Sequence, residues 1–246
     1  MTENERLQIA LERARGSLKS GIGTLSERLV HSTVKYYLEP DSSCHEVPVG
    51  SKVADIFQKE DGHIFEIQTR AFDRLRDKLE VFLPEYRVTV VYPCVRRKII
   101  CWVDPDTGEV VSRRKSPREG QLWDILPEIY RLPDHMDHPN LDFLILMMDM
   151  EEYKLLSGKG KDRKHGAPRM ERLPLSIEEA GIVRRPEDYA ALLPGLLPER
   201  FDRETLGKAM KLQGLKLSYA VKVLERSGAI RHADTVKRKY IYERTH

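Results

Sequence analysis

Apolar and polar residues change their period along this chain, and each change marks an element. Near the N-terminus "ENERLQIALERARGSL" reads as an amphipathic helix, which "KSGIGT" interrupts. In "LSERLVHSTVKYYL", Leu25, Leu29, Val30, Val34, Tyr37 and Leu38 recur near one side at helical spacing, with Thr24 as the cap and Pro40 at the end. The period then shortens to two. "CHEVPV", "KVADIFQ", "HIFEIQ", "RVTVVYP" and "KIICWVD" read as strands, with a helical "AFDRLRDKLEVFL" between the third and fourth. The order α-β-β-β-α-β-β predicts a mixed sheet with a helix on each side. Beyond it "GQLWDILPEIYRL" reads as a helix, while "LDFLILMMDMEEYKLL" fits either a long strand or a buried helix.

"SGKGKDRKHGAPRMERLPLS" combines Gly, Pro and basic residues without apolar rhythm and reads as a linker. The expected organisation is a first domain over residues 1–156, a linker over 157–180 and a second domain over 181–246. In the last of these, residues 203–211 form a short helix and "QG" turns the chain. "LKLSYAVKVLERSG" then forms a second helix ending at Gly228, with Leu217, Ala220, Val221 and Leu224 as its buried stripe. "AIRHADTVKRKYIYE" reads as a two-stranded hairpin with a basic tip, and "DYAALLP" as an earlier helix.

Composition narrows the function classes. A chain of 246 residues, 40% hydrophobic and 33% charged, can bury one good core and a second, smaller one. No run approaches the roughly 18 uncharged apolar residues of a membrane span, and the N-terminus mixes charges without a cleavage site. A soluble, cytoplasmic protein without a membrane partner is expected. Cys44, Cys94 and Cys101 are widely spaced in strand-like runs, which suits reduced, buried thiols. The net charge of +3 is unevenly spread: residues 1–156 hold 22 Lys+Arg against 27 Asp+Glu, and residues 157–246 hold 20 against 12. The basic excess at the C-terminal end suggests a module facing a polyanion, although such an excess also describes a solvated surface.

Candidate chemistry concentrates in "VADIFQKEDGHIFEIQTR". With Asp61-Gly62 as the centre of a type I′ turn, Phe57 faces Glu66 and Asp55 faces Gln68. Asp55, Glu66 and Gln68 then share one side of the sheet, together with Val53, Phe57 and Ile64. Two neighbouring carboxylates resist ionising together unless a cation or a shared proton intervenes. A divalent ion held by Asp and Glu oxygens resolves the conflict and can activate water for attack on phosphorus. An exposed acidic hairpin face is the competing reading. Elsewhere, His135 and His138 in "DHMDH" have ligand-like spacing but lie in a Pro-flanked loop with no third ligand cluster, which favours an ordinary loop.

A helix bearing Glu, a strand with "AD", a short turn, a strand with "EIQ" and a following helix together resemble the PD-(D/E)XK nuclease superfamily over about residues 20–104. The resemblance implies a restriction endonuclease-like α/β fold and Mg²⁺ or Mn²⁺ as cofactor. It implies Asp55 and Glu66 as ligands, with the main-chain carbonyl of Ile67 as a third. Gln68 stands where the family usually has lysine and would orient the attacking water. An amide accepts a hydrogen bond from water but supplies no positive charge to a transition state. Glu27 corresponds to the helix acid of the family, but "TLSE" is also a capping box that needs no metal. His31, one turn on, could hydrogen-bond into the same site, although a partly exposed histidine is the favoured reading; Arg70 fits a phosphate contact or a surface arginine at a helix start equally well, and Glu46 joins the acids only if its strand is adjacent.

The C-terminal pattern resembles a winged helix domain. That resemblance implies Lys216, Ser218, Tyr219 and Lys222 facing double-stranded DNA and Lys237, Arg238 and Lys239 on phosphates, with protein contacts or dimerisation as the other use of the fold. The expected function is a metal-dependent deoxyribonuclease. The alternatives are a DNA-binding regulator or scaffold with an inactive nuclease-like domain, and a factor acting on RNA. A homodimer is a candidate assembly because two-fold symmetric nucleases pair their sites, though no sequence feature marks a dimer surface.

Overall fold

The computed structural model describes residues 2–17, 25–159 and 161–245, with the side chains of residues 25–28 outside that description; the Thr24 cap and the Glu27 carboxylate therefore lie outside the described residues. Helices α1 (Glu3–Ser17) and α2 (Leu25–Leu38) form where the apolar spacing predicts. Leu7, Ala10, Val30, Val34 and Tyr37 pack on one face of a mixed sheet that has seven strands among the described residues. Strands β1 (His45–Val49), β2 (Lys52–Gln58) and β3 (His63–Ile67) make an antiparallel meander. A 3-10 turn at Phe72–Leu75 and helix α3 (Arg76–Phe82) carry the chain over the other face to β4 (Arg87–Val103), parallel to β3. Strand β5 (Val110–Lys115) folds back on the far end of β4, and α4 (Leu126–Ile129) leads to β6 (Leu141–Leu155), parallel to β4. The order across the sheet is β1-β2-β3-β4-β6 and then β7 (Arg169–Val183), which is antiparallel to β6.

Several expectations need correction. The two strands expected at "RVTVVYP" and "KIICWVD" are one, because residues 94–97 continue along β6 with only a register shift between Val95 and Arg97. The ambiguous "LDFLILMMDMEEYKLL" is strand β6, buried on both faces over most of its length, which explains its unbroken apolar run. Half of the stretch assigned to a linker, 157–180, is strand, because β7 begins at Arg169. As the last strand of the sheet, with register shifts and a half-exposed surface, it lacks the alternation that marks a strand.

The C-terminal unit contains α5 (Pro186–Ala191), α6 (Arg203–Met210), α7 (Gly214–Arg226) and a three-stranded sheet ordered β8 (Arg200–Asp202), β10 (Lys239–Arg244), β9 (Ile230–Val236). It is joined to the large sheet by packing as well as by the chain. Leu206, Leu217, Leu224 and Tyr242 belong to the same apolar cluster as Phe72, Leu79, Val90 and Phe143. Tyr219 stacks on Tyr130 with ring centres 4.2 Å apart and planes 13° apart, the Trp123 indole donates to the Met210 carbonyl at 2.9 Å, and Arg226 pairs with Asp137 at 2.6 Å. The "DHMDH" loop thus serves as a docking point for α7. No helix among the described residues is long and apolar enough to cross a membrane.

A shared core predicts cooperative unfolding. Urea transitions followed by far-UV circular dichroism and by tryptophan fluorescence, to which Trp123 at the junction contributes, should coincide; two separated transitions would mean that the C-terminal unit is only tethered.

Candidate functional site

The hairpin between β2 and β3 positions the site, although its turn differs from the type I′ form. Only Gly62 has a positive φ (60°), Asp61 does not, and the pairs Ile56↔Phe65, Phe57↔Ile64 and Gln58↔His63 leave a four-residue loop over 59–62. The register is shifted by two residues from the expected one. Asp55 and Glu66 now stand opposite each other where the strand pairing ends, Asp55 next to α2 and Glu66 next to α3.

At that point the ladder opens. The Asp55 amide donates to Glu66 Oε1 at 3.1 Å, and the Ile67 amide donates to Asp55 Oδ2 at 2.8 Å. Each carboxylate thus takes a main-chain donor of the opposite strand, in place of the carbonyl that a closed ladder would offer. Main-chain donors deep in a fold must find acceptors, so these bonds hold both acids in fixed positions. Asp55 Oδ2 also lies 3.2 Å from His31 Nε2 of α2, and Glu66 Oε2 accepts from Lys78 Nζ of α3 at 2.7 Å.

The electrostatics follow from burial. Glu66 is 1% exposed and Asp55 9%. Burial, and then the Asp55 charge beside it, push the Glu66 carboxyl up to about 7, against the pull of Lys78. Burial acts in the same sense on Asp55, but hydrogen bonds from His31 and the Ile67 amide outweigh it and hold that carboxyl below its usual range. The pair therefore resists carrying two full negative charges, a conflict that a proton or a cation would relieve. Among the described residues no group of three or more His, Cys, Asp or Glu side chains gathers as a metal cage. Two carboxylates do suit Mg²⁺, which ordinarily keeps several waters and binds through one or two acids plus substrate phosphate.

Gln68 lines the same cavity of about 370 Å³, with His31, Asp55, Glu66, Arg74, Lys78 and Arg172 on its walls. Its side-chain nitrogen is committed to the carbonyls of Arg70 (2.6 Å) and Ala71 (3.4 Å), leaving the amide oxygen as the group able to accept from water. Arg70 also lines the cavity. Glu46 is not part of the site: it is exposed and pairs with Lys35. Lys78, Arg74 and Arg172 escaped the sequence reading. Arg70, Arg74 and Lys78 are spaced by four, a signal for a basic stripe, but the turn of the chain at Ala71 (φ 56°) that aims α3 at Glu66 is not visible in sequence. Arg172 was hidden in the presumed linker.

The basic residues of the C-terminal unit divide. Tyr219 and Lys222, expected to face DNA, point instead to the large domain: Tyr219 stacks on Tyr130, and the Lys222 ammonium lies 5.4 Å from that ring's centre. With Arg226 they form one helical stripe, i, i+3, i+7, in which Tyr219 is half-buried against Tyr130 at the end of α4 while Lys222 and Arg226 stay exposed. The Ser218 hydroxyl accepts from Arg203 at 2.7 Å and donates to the Gly214 carbonyl. Lys239 pairs with Asp202 and Glu204. Lys216 is exposed, and Lys237 and Arg238 form the exposed hairpin tip, both in the left-handed region (φ 47° and 67°).

The chain belongs to the family described as Domain of unknown function (DUF8091), whose model matches residues 28–184. That match runs from α2 to the end of β7 and includes His31, Asp55, Glu66, Gln68, Lys78 and Arg172, while the C-terminal unit lies beyond it. The chain is also similar to an uncharacterized protein of Treponema pallidum (strain Nichols), with 34% identity over 207 residues, covering 84% of this chain and 81% of that protein. No solved structure matches it.

The raised Glu66 carboxyl makes stability depend on pH with a definite sign. Its folded value of about 7 exceeds its ordinary value of 4.5, so between these limits the folded state binds the extra proton. Stability in EDTA should therefore fall as pH rises from about 4.5 to 7. The fall should flatten in Glu66→Gln and shrink when Mg²⁺ is added, as measured by the urea midpoint across that range.

Proposed function

We propose that this protein is a metal-dependent nuclease of the PD-(D/E)XK type that hydrolyses phosphodiester bonds of nucleic acid, with DNA as the leading substrate. The observation that carries this reading is the fixed pair of buried carboxylates at the opening of the β2–β3 ladder. The order of α2, three antiparallel strands, α3 and a strand parallel to the third adds support, because it is the arrangement the family resemblance implies. The resemblance of the C-terminal unit to a winged helix is supported by its helices, its short strand and its closing hairpin. Its second helix is docked rather than free, so phosphate contacts from that unit fall to Lys216, Lys237 and Arg238.

Asp55 and Glu66 would hold Mg²⁺ or Mn²⁺, with the Ile67 carbonyl as an additional donor; when bound, the ion lowers the pKa of water and offsets charge on the phosphoryl oxygens. The rest is the work of this chain. The Gln68 amide oxygen accepts a hydrogen bond from the attacking water and orients it. As the water oxygen bonds to phosphorus it gives up a proton to solvent, the opposite phosphorus–oxygen bond breaks with its electron pair, and the leaving oxygen takes a proton from solvent. Lys78 supplies the positive charge that Gln68 lacks, at a distance from Glu66 already suited to it (2.7 Å). Arg74 and Arg172, on the cavity wall, hold the phosphate.

Purified protein incubated with plasmid, duplex, single-stranded and structured RNA substrates in Mg²⁺, Mn²⁺ or EDTA tests this. Cutting should require metal and fall by at least about 100-fold in Asp55→Ala, Glu66→Ala and Lys78→Met, the scale on which loss of one transition-state partner acts. Metal-dependent cutting that survives Asp55→Ala refutes the site. Absence of cutting alongside salt-sensitive duplex binding would favour the regulator or scaffold, a reading consistent with glutamine at position 68.

A further inference from the structure

Along one edge of β4 the partner strands leave a gap. β3 pairs with residues 87–91 and β5 with residues 99–103, so the stretch between them faces no strand. The Ser116 and Gly120 amides meet its Lys98, Val95 and Arg96 carbonyls, and beside it lies a cavity of about 400 Å³ that shares Thr69, Arg70, Pro93 and Arg172 with the carboxylate cavity.

The charge around this second cavity does not balance. Glu152 of β6 is 1% exposed, and four cations surround it: Arg172 at 3.1 Å, Arg169 and Lys154 at 3.3 Å, and Lys98 at 3.5 Å. A purely structural carboxylate needs one or two such partners. Four leave three positive charges uncompensated and close enough to repel one another. Their side chains are only 24–39% exposed, so water screens them incompletely. Lys98, Arg169 and Arg172 all line the cavity, joined there by Arg118 and Ser116. The Arg118 guanidinium has no carboxylate partner among the described residues. The acid on the wall, Asp124, is occupied by the Gln121 amide at 3.1 Å.

We propose that this cavity is a phosphate-binding site separate from the carboxylate pair. Guanidinium groups match phosphate oxygens in pairs, and ammonium and hydroxyl groups complete the coordination. Taken with the nuclease reading, on which this part rests, its ligand is a phosphate of the strand next to the one being cut. Arg172, common to both cavities, spans the two positions.

The test uses the full chain in EDTA, so that neither metal nor cutting enters. Binding of a fluorescent oligonucleotide is followed by anisotropy over a range of salt, and inorganic phosphate is titrated in thermal unfolding at constant ionic strength. In Arg118→Gln/Arg169→Gln, oligonucleotide affinity should drop about tenfold and the salt slope should shrink by about one phosphate contact, or roughly 0.9. The rise in Tm with phosphate should vanish in the same variant. The exposed control Arg114→Gln should behave as wild type. Arg118→Gln alone, at an unpaired surface position, keeps the test decisive if the double variant unfolds. A phosphate response lost in the variant, with an oligonucleotide that does not bind even wild type, upholds the anion site and removes the nuclease reading. Unchanged oligonucleotide binding together with no phosphate response overturns the proposal.

Discussion

Two acids exchange main-chain donors at the point where β2 and β3 part, and the site is organised around that exchange. The Asp55 amide needs an acceptor and finds Glu66; the Ile67 amide needs one and finds Asp55. The ladder is open there, and two like charges lie together under cover. His31 and Lys78 relieve part of that cost from opposite faces of the sheet, which makes α2 and α3 part of the site as well as of the core.

The same economy recurs along β4. This 17-residue strand carries the meander at one end and β5 at the other, and the gap between them is a groove with a basic floor. Arg172 on β7 reaches it from beyond β6, and Glu152 gathers the cations from below. Docking of α7 on α4 through Tyr219 and Tyr130 fixes the C-terminal unit at the far end of that groove, where Arg118, Lys211 and Lys216 share a further cavity. The order of the cavities gives a continuous basic path from the carboxylates to the C-terminal unit.

Much of this was legible in the sequence because it depends on local pairing. That Asp55 and Glu66 are neighbours across the hairpin follows from strand pairing, and a register error of two residues does not separate them. The turn itself was misread: Asp-Gly suggested two positive φ values, but the chain places one, at Gly62, inside a longer loop. Lys78 and Arg172 were illegible for a different reason. Each reaches the site through tertiary geometry, one by the left-handed residue that redirects α3, the other by an edge strand whose Gly, Pro and basic residues imitate a linker. Tyr219 and Lys222 show the limit of analogy, since a stripe that resembles a DNA-facing surface is used to hold two parts of one chain together.

The claim at the centre is that the paired acids form a divalent cation site, and a crystal soaked in Mn²⁺ tests it most directly. An anomalous peak within bonding distance of both the Asp55 and Glu66 carboxylates, absent from Asp55→Ala crystals, is the predicted result. Full Mn²⁺ exposure with no peak between them, both acids bonded only to the Asp55 and Ile67 amides, His31 and Lys78 as before, would contradict it.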